Sequence, residues 1–288
     1  MRFLKLTVAY DGTDYVGWQV QPNGPSIQAA VESAWREVTG EALRVTASGR
    51  TDSGVHALGQ VVSLVTDSTL PCQVLLRALN ANLPEDIVTL GVQEAPDGFD
   101  AILSAVRKRY RYLLHDGRLR DPLLRRYSWQ VFRPLNEAAM QLAANSLVGT
   151  HDFASFQSAG SPRASTIRTI SDLVVRRQPV CSPFRLQPMP GIDIPTNSHV
   201  ERSDAASEES QATADSLHRS QTQIVVEVEA NGFLYNMVRN IVGTLMVVGR
   251  SDQPPSWIDE VLAARDRTVA GPTAPPQGLF LVHVDYGW

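Results

Sequence analysis

Apolar positions along the chain recur at two spacings, alternate and helical, and each change of spacing marks a change of element. Residues 3–9 read as a strand, with Tyr10-Asp11-Gly12 as the turn leaving it. Ile27, Ala30, Val31, Ala34 and Val38 then fall at helical spacing behind Ser26, a good N-cap, and ahead of Gly40, so a helix is expected over about 27–39. Strands follow near 43–48 and 60–66, a second helix over about 71–82, and a strand near 87–94. The order is β-α-β-β-α-β. It repeats with a strand near 106–114, a helix at about 135–147, strands near 167–177 and 222–230, a helix at about 233–249 and a closing strand at 279–285. A short additional helix near 255–264 interrupts the second copy. This predicts an α+β protein of two ferredoxin-like halves, residues 1–104 and 105–288, whose strands join edge to edge in one mixed or antiparallel sheet with helices covering it and a central cleft. Only the element order repeats, not the residues. Residues 178–221, rich in Pro, Ser, Ala, Thr and Glu, break the pattern and are expected to be an inserted, disordered loop.

Composition narrows the class. With 288 residues, 43% hydrophobic and 19% charged, the chain has ample material for a core and is no disordered polyelectrolyte. Met1-Arg2-Phe3-Leu4-Lys5-Leu6 lacks the apolar core of a signal peptide, and the longest apolar stretch, around Ile241 to Val248, is too short to span a bilayer. A soluble, cytoplasmic chain without a membrane partner is expected. Cys72 and Cys181 have neither metal-type spacing nor the density of a disulfide framework.

The net charge of −4 hides a segregation: residues 105–177 carry 13 basic and 5 acidic side chains. A strand at 106–114 places Arg107, Arg109 and Arg111 on one face and Tyr110 and Tyr112 on the other; Arg118, Arg120, Arg125, Arg126 and Arg133 follow. Guanidinium groups interleaved with rings suit a polyanion with stackable bases, because arginine grips phosphate and rings hold unpaired bases. A solvated strand face is the competing reading.

The chemistry concentrates in Ala47-Ser48-Gly49-Arg50-Thr51-Asp52-Ser53-Gly54-Val55-His56-Ala57. Glycines at 49 and 54 bracket a tight loop. Arg50, two residues from Asp52, is expected to hold the carboxylate ionised and aimed, which suits nucleophilic attack or proton abstraction and not general-acid work. An Asx turn with a loop-stabilising ion pair is the plainer alternative. His56 is a structural loop histidine on this reading, and His151-Asp152 an N-terminal or loop hydrogen-bonding feature near the substrate surface.

The full string Gly49 to Ala57 closely resembles the signature of the TruA-type tRNA pseudouridine synthases. Other pieces stand in the same order: Tyr10-Asp11-Gly12-Thr13 with Gly17-Trp18-Gln19, Ser26-Ile27-Gln28, Arg77-Ala78-Leu79-Asn80, Arg109-Tyr110-Arg111-Tyr112, His151 to Phe156, Phe233 to Asn240, and Pro272 to Leu279. The resemblance covers most of the chain outside the insertion. It implies isomerisation of uridine to pseudouridine in the anticodon stem-loop of tRNA, at positions 38, 39 and 40, on a flipped-out nucleotide. It implies Asp52 as catalytic nucleophile, by attack on the ribose C1′ or through a related elimination. Arg50 would position the flipped nucleotide, Tyr110 would pack against the target base and assist deprotonation, and Arg239 would pair with Asp52. No cofactor or metal is implied, and the partners are tRNA and a second copy in a homodimer. A catalytically inactive tRNA-binding homologue and a hydrolase using Asp52 with His56 or Ser53 are the competing classes.

Overall fold

The computed structural model describes residues 1–158, 164–180 and 222–287. Its strands are β1 (Arg2–Tyr10), β2 (Thr46–Ala47), β3 (His56–Thr66), β4 (Ile87–Glu94), β5 (Arg107–His115), β6 (Trp129–Gln130), β7 (Gly149–Asp152), β8 (Ile167–Pro179), β9 (Thr222–Ala230) and β10 (Leu279–Asp285). The helices are α1 (Ile27–Thr39), α2 (Cys72–Asn82), α3 (Glu137–Asn145), α4 (Met237–Gly249) and α5 (Trp257–Ala264). The first helix forms where its ends are satisfied. Ser26 Oγ accepts the Ala29 N–H at 3.3 Å, and Gly40 closes the helix at φ 78°.

One sheet holds all ten strands in the order β4-β1-β3-β10-β5-β9-β8-β7, with β2 on β3 and β6 on β5. Within residues 1–104 the order is β4-β1-β3-β2, and within the remainder β10-β5-β9-β8, each with antiparallel neighbours. Both follow the ferredoxin-like pattern of fourth, first, third, second. The two halves meet where β10 lies parallel to β3 through Phe280↔His56 and Leu281↔Ala57. β2 occupies the same edge of β3 farther along, at Thr46↔Ser63 and Ala47↔Val62. The edge of β3 is thus divided between its own hairpin partner and the other half. The loop joining β2 to β3 opens at that junction.

Register places the cores of both halves on one side. Tyr10, Ala57, Leu281, Tyr110, Val228 and Leu173 are successive partners across six strands, and all are buried. Paired residues in a sheet share a face, so this row fixes which side is apolar. The buried residues of the helices, among them Trp35, Leu75, Met140 and Leu245, join the same continuous core, so the helices cover that side.

Several expectations change in detail. The strand expected at 43–48 is only Thr46–Ala47, and β3 begins at His56 and not near 60, which shortens the loop between them. The helix expected from 233 begins at Met237, because Asn236 adopts a left-handed conformation at φ 58°. His151 and Asp152 are not in a loop. They belong to β7, which pairs antiparallel with β8. The insertion expected to begin at 178 begins later, since Gln178 and Pro179 pair with Gln223 and Thr222 at the end of β8. The rest of that expectation, from residue 181 to 221, lies outside the described residues.

Candidate active site

The segment Ser48–Val55 is latched from two sides. Gln60, fully buried on β3, donates from Nε2 to the Gly49 carbonyl at 2.7 Å and accepts from Ser48 Oγ at 2.8 Å. Tyr10 Oη pairs with Thr51 Oγ1 at 2.8 Å. From the other side Trp18 N–H donates to the Thr51 carbonyl at 3.0 Å, and Ser53 Oγ donates to the Tyr15 carbonyl at 3.1 Å. Gly17, at φ 110°, permits this approach, since a Cβ there would stand 2.7 Å from the Thr51 carbonyl oxygen. Gly54 is left-handed at φ 75°, as a tight turn requires; Gly49 is not among the left-handed glycines.

These contacts present Asp52 to Arg239, whose Nη1 lies 3.2 Å from Asp52 Oδ2. The guanidinium is itself fixed, donating from Nε to the Ala274 carbonyl at 2.7 Å and from Nη1 to Asn236 Oδ1 at 3.0 Å. An arginine in the first turn of a helix opposes the helix dipole, and here the Asp52 carboxylate offsets that opposition. Burial pushes the Asp52 carboxyl above its usual range, and the Arg239 charge and hydrogen bond only partly counter this. The expectation of a lowered value is therefore reversed: desolvation exceeds the effect of the single guanidinium. The partner is also Arg239 in place of Arg50. Arg50 is exposed and makes no ion pair among the described residues.

Tyr110 projects from β5 onto the apolar side, buried and edge-on to Phe233 with ring centroids 5.0 Å apart. Its hydroxyl has no hydrogen-bond partner among the described residues and would lie 3.9 Å from a Cβ on Gly49. Burial, aided by the nearby Asp52 charge, pushes the phenol well above its ordinary value. A neutral phenol suits packing against a base. It is a poor proton acceptor, which weighs against the deprotonation role.

The arginine stripe of β5 differs from its expected use. Arg107, Arg109 and Arg111 do share one face, opposite Tyr110, but acids occupy it too. Arg109 pairs with Glu229 at 3.0 Å and Asp172 at 3.2 Å, Arg107 with Asp285 at 2.9 Å, and Arg111 with Glu227 at 2.6 Å. Glu227 and Glu229 alternate on β9 in register with these arginines, a cross-strand match that one strand read alone does not reveal. The stripe is an internal charge network, not a free phosphate grip.

His56 lies in the row facing away from Tyr110, stacked on Phe280 at 4.7 Å. Its Nδ1 meets the Gly12 N–H at 3.1 Å and Asp11 Oδ1 at 3.0 Å, its Nε2 lies 2.9 Å from the Arg126 carbonyl, and burial pulls its pKa down. It is a structural residue on the wrong face to serve Asp52. Asp152 accepts from the Ala154 N–H at 3.2 Å and from Thr166 Oγ1 at 2.5 Å, and pairs with Arg265 at 3.3 Å. Among the described residues no group of three His, Cys, Asp or Glu side chains is placed to hold a metal.

A second layer behind Arg239 escapes sequence reasoning. Arg267 donates to Asn240 Oδ1 at 3.0 Å, Thr273 Oγ1 at 3.0 Å and the Gly271 carbonyl at 2.9 Å, and Thr273 Oγ1 donates to Asn240 Oδ1 at 2.7 Å. These bonds hold the 271–274 backbone whose Ala274 carbonyl orients Arg239. Pro272 to Leu279 is visible as a motif, but its partner Arg267 stands outside any motif. The same backbone passes so close to α4 that a Cβ on Gly243 would fall 1.6 Å from the Pro272 carbonyl oxygen. Gly243→Ala is therefore expected to lose about 3 kcal/mol or more and at least about tenfold in activity, read by thermal melting and turnover.

A ten-stranded mixed sheet with its helices on one side, two ferredoxin-like strand orders joined through β3 and β10, is the architecture of the pseudouridine synthase fold. Residues 6–102 and 143–287 match the family described as tRNA pseudouridine synthase. The chain is 39% identical over 286 residues to the tRNA pseudouridine synthase A of Thermoanaerobacter sp., covering 99% of this chain and all of that protein. It is 42% identical over 288 residues to its counterpart from Moorella thermoacetica, with the same coverage. With that from Myxococcus xanthus it shares 40% over 283 residues, 98% of this chain and 91% of the other. The chain belongs to the tRNA pseudouridine synthase family.

Proposed function

We propose that this enzyme isomerises uridine to pseudouridine at positions 38, 39 and 40 of the tRNA anticodon stem-loop, with Asp52 as the nucleophile. The observation that carries the assignment is the Asp52 carboxylate, anchored by its loop and held 3.2 Å from Arg239 beside the Tyr110 hydroxyl, which has no partner among the described residues. A uridine in a stem must leave the stack before its sugar is reachable. Residues 1–104 then supply the nucleophile's loop, and residues 105–288 supply Tyr110 and Arg239. In the direct route an Asp52 oxygen bonds to C1′ as the C1′–N1 bond breaks and its electron pair stays on the uracil. The ring turns, C5 bonds to C1′ and the Asp52–C1′ bond breaks. The C5 proton is lost and N1 takes one up. In the elimination route Asp52 takes the C2′ proton as the C1′–N1 pair leaves with the uracil and a C1′–C2′ double bond forms; C5 then bonds to C1′ as Asp52 returns the proton to C2′. Either route conserves the composition of the RNA and needs no electron carrier.

Tyr110 packs on the everted base, and the exposed Arg50 contacts the displaced backbone. A homodimer acting in the cytoplasm accords with this role, and no helix among the described residues is long and apolar enough to cross a membrane. Incubation with an unmodified tRNA transcript, followed by chemical mapping and mass measurement, tests the proposal. Pseudouridine at unchanged RNA mass supports it. Free uracil or cleaved RNA would instead indicate a hydrolase.

Salt dependence separates free cations from paired ones. Arg109→Ala should leave the slope of log affinity against log salt unchanged, because Glu229 and Asp172 already neutralise that side chain. Arg118, Arg125 and Arg133 are exposed and unpaired among the described residues. Each one that contacts phosphate should reduce the slope by about one unit when changed to alanine. Filter-binding titrations over a salt series read both effects.

A further inference from the structure

Of the four cations at 107–111, only Lys108 faces the same side as Tyr110, by strand alternation. Its ammonium donates to the Ser48 carbonyl, where the loop leaves β2. A Cβ on Gly49 would lie 3.4 Å from Lys108 Nζ and 3.9 Å from Tyr110 Oη, so both groups flank the base of the Asp52 loop. Unlike its three arginine neighbours, Lys108 has no acid within ion-pair distance among the described residues. Its two remaining N–H donors also have no partner there. Burial alone acts on it, pulling its pKa down to about 8 with no carboxylate to offset the loss of solvation. A largely buried cation without a counter-charge is costly, and its complement is an anion that arrives with the substrate.

Resting on the function proposed above, we propose that Lys108 is a further catalytic residue whose ammonium donates a hydrogen bond to the uracil ring as negative charge collects on it. Cleavage of C1′–N1 leaves the bonding pair on the ring, shared among N1, O2 and O4. A fixed cation in a poorly solvated site acts most strongly where charge develops during reaction. Lys108 stays an ammonium throughout and transfers no proton. Lys108 Nζ and Tyr110 Oη lie 3.4 and 3.9 Å from the same point beside Gly49, so a ring that packs on Tyr110 is the substrate group this ammonium faces, while Arg50 is exposed to solvent. The titratable groups on this face around the loop are Tyr110, the Tyr10 and Asp52 that act on it, and Tyr286, which bonds Ser48. Burial raises all four, holding the three phenols neutral to well above pH 8.

Single-turnover rates on an unmodified tRNA transcript, and on one carrying 5-fluorouridine at the target, test the role. Fluorination makes the ring a better leaving group that needs less help. Lys108→Gln keeps a donor for Ser48 but no charge. It should slow C1′–N1 cleavage by about 100-fold, leave tRNA affinity within about twofold, and recover at least about tenfold on the fluorinated substrate. Lys108→Arg should retain the rate and move the alkaline fall in activity, near pH 8 in the native enzyme, to higher pH. An equal loss on both substrates would reduce Lys108 to a loop anchor. A loss of affinity at unchanged rate would make it a phosphate contact. A native rate for Lys108→Gln, or an unmoved alkaline limb for Lys108→Arg, also overturns the proposal. If the native chain forms no pseudouridine, the function itself fails, whatever Lys108 does.

Discussion

Asp52→Asn removes pseudouridine formation, by about 10⁴-fold or more in turnover, while the protein stays folded and binds tRNA. The amide keeps the shape of the carboxyl and loses its nucleophilicity. Stability moves the other way from activity. Burial raises the Asp52 pKa in the folded protein, so the protonated form is the one that folding favours. That contribution is fully present below the unfolded pKa and is lost as pH rises through the folded value. At neutral pH the native enzyme carries the unfavourable buried charge and the asparagine variant does not. The variant should therefore melt no lower than the native chain at pH 7, despite its lost activity. The same sign governs catalysis, which needs the ionised form. Activity should fall on acidification at a pH above the ordinary aspartate range. Melting curves and single-turnover rates across pH check both statements, and a large drop in melting temperature at pH 7 would contradict the account of Asp52.

Arg239→Met is expected to produce the second large loss, about 10²–10³-fold in turnover. The guanidinium lowers the Asp52 pKa by its charge and by its hydrogen bond, so without it burial acts alone and the carboxyl rises further. The acid limb of the pH profile then moves to higher pH, which distinguishes loss of the electrostatic partner from general damage. Arg239→Lys should restore only part of the rate. A single ammonium cannot hold the Ala274 carbonyl at 2.7 Å, Asn236 at 3.0 Å and Asp52 at 3.2 Å with the fixed fork of a guanidinium. A rate loss in Arg239→Met with an unmoved acid limb would contradict this reading.

The element order was legible because alternation and helical spacing are properties of neighbouring residues. Ser26 and Gly40 marked the ends of α1 for the same local reason. The loop of Asp52 was legible as a motif, and Arg239 through the resemblance of its helix. His151-Asp152 was legible as a hydrogen-bonding pair but not as a strand, because β7 is a four-residue edge strand, too short for alternation to show. The helix start at 237 depended on the left-handed Asn236, whose side chain is held by Arg239 and Ser158.

What the sequence determined by itself was the succession of the longer strands and helices, the apolar and polar faces of each, and the motif segment carrying Asp52. All of these rest on chemistry within a few residues. The tertiary structure alone decided which charges meet. Strand register set Glu227 and Glu229 against the arginines of β5, and the division of the β3 edge between β2 and β10 brought a carboxylate and a guanidinium 187 residues apart into contact. Solvation is likewise a tertiary property. A neighbouring arginine in sequence predicts a lowered aspartate pKa, but the core packed around Asp52 removes water from it and reverses the sign.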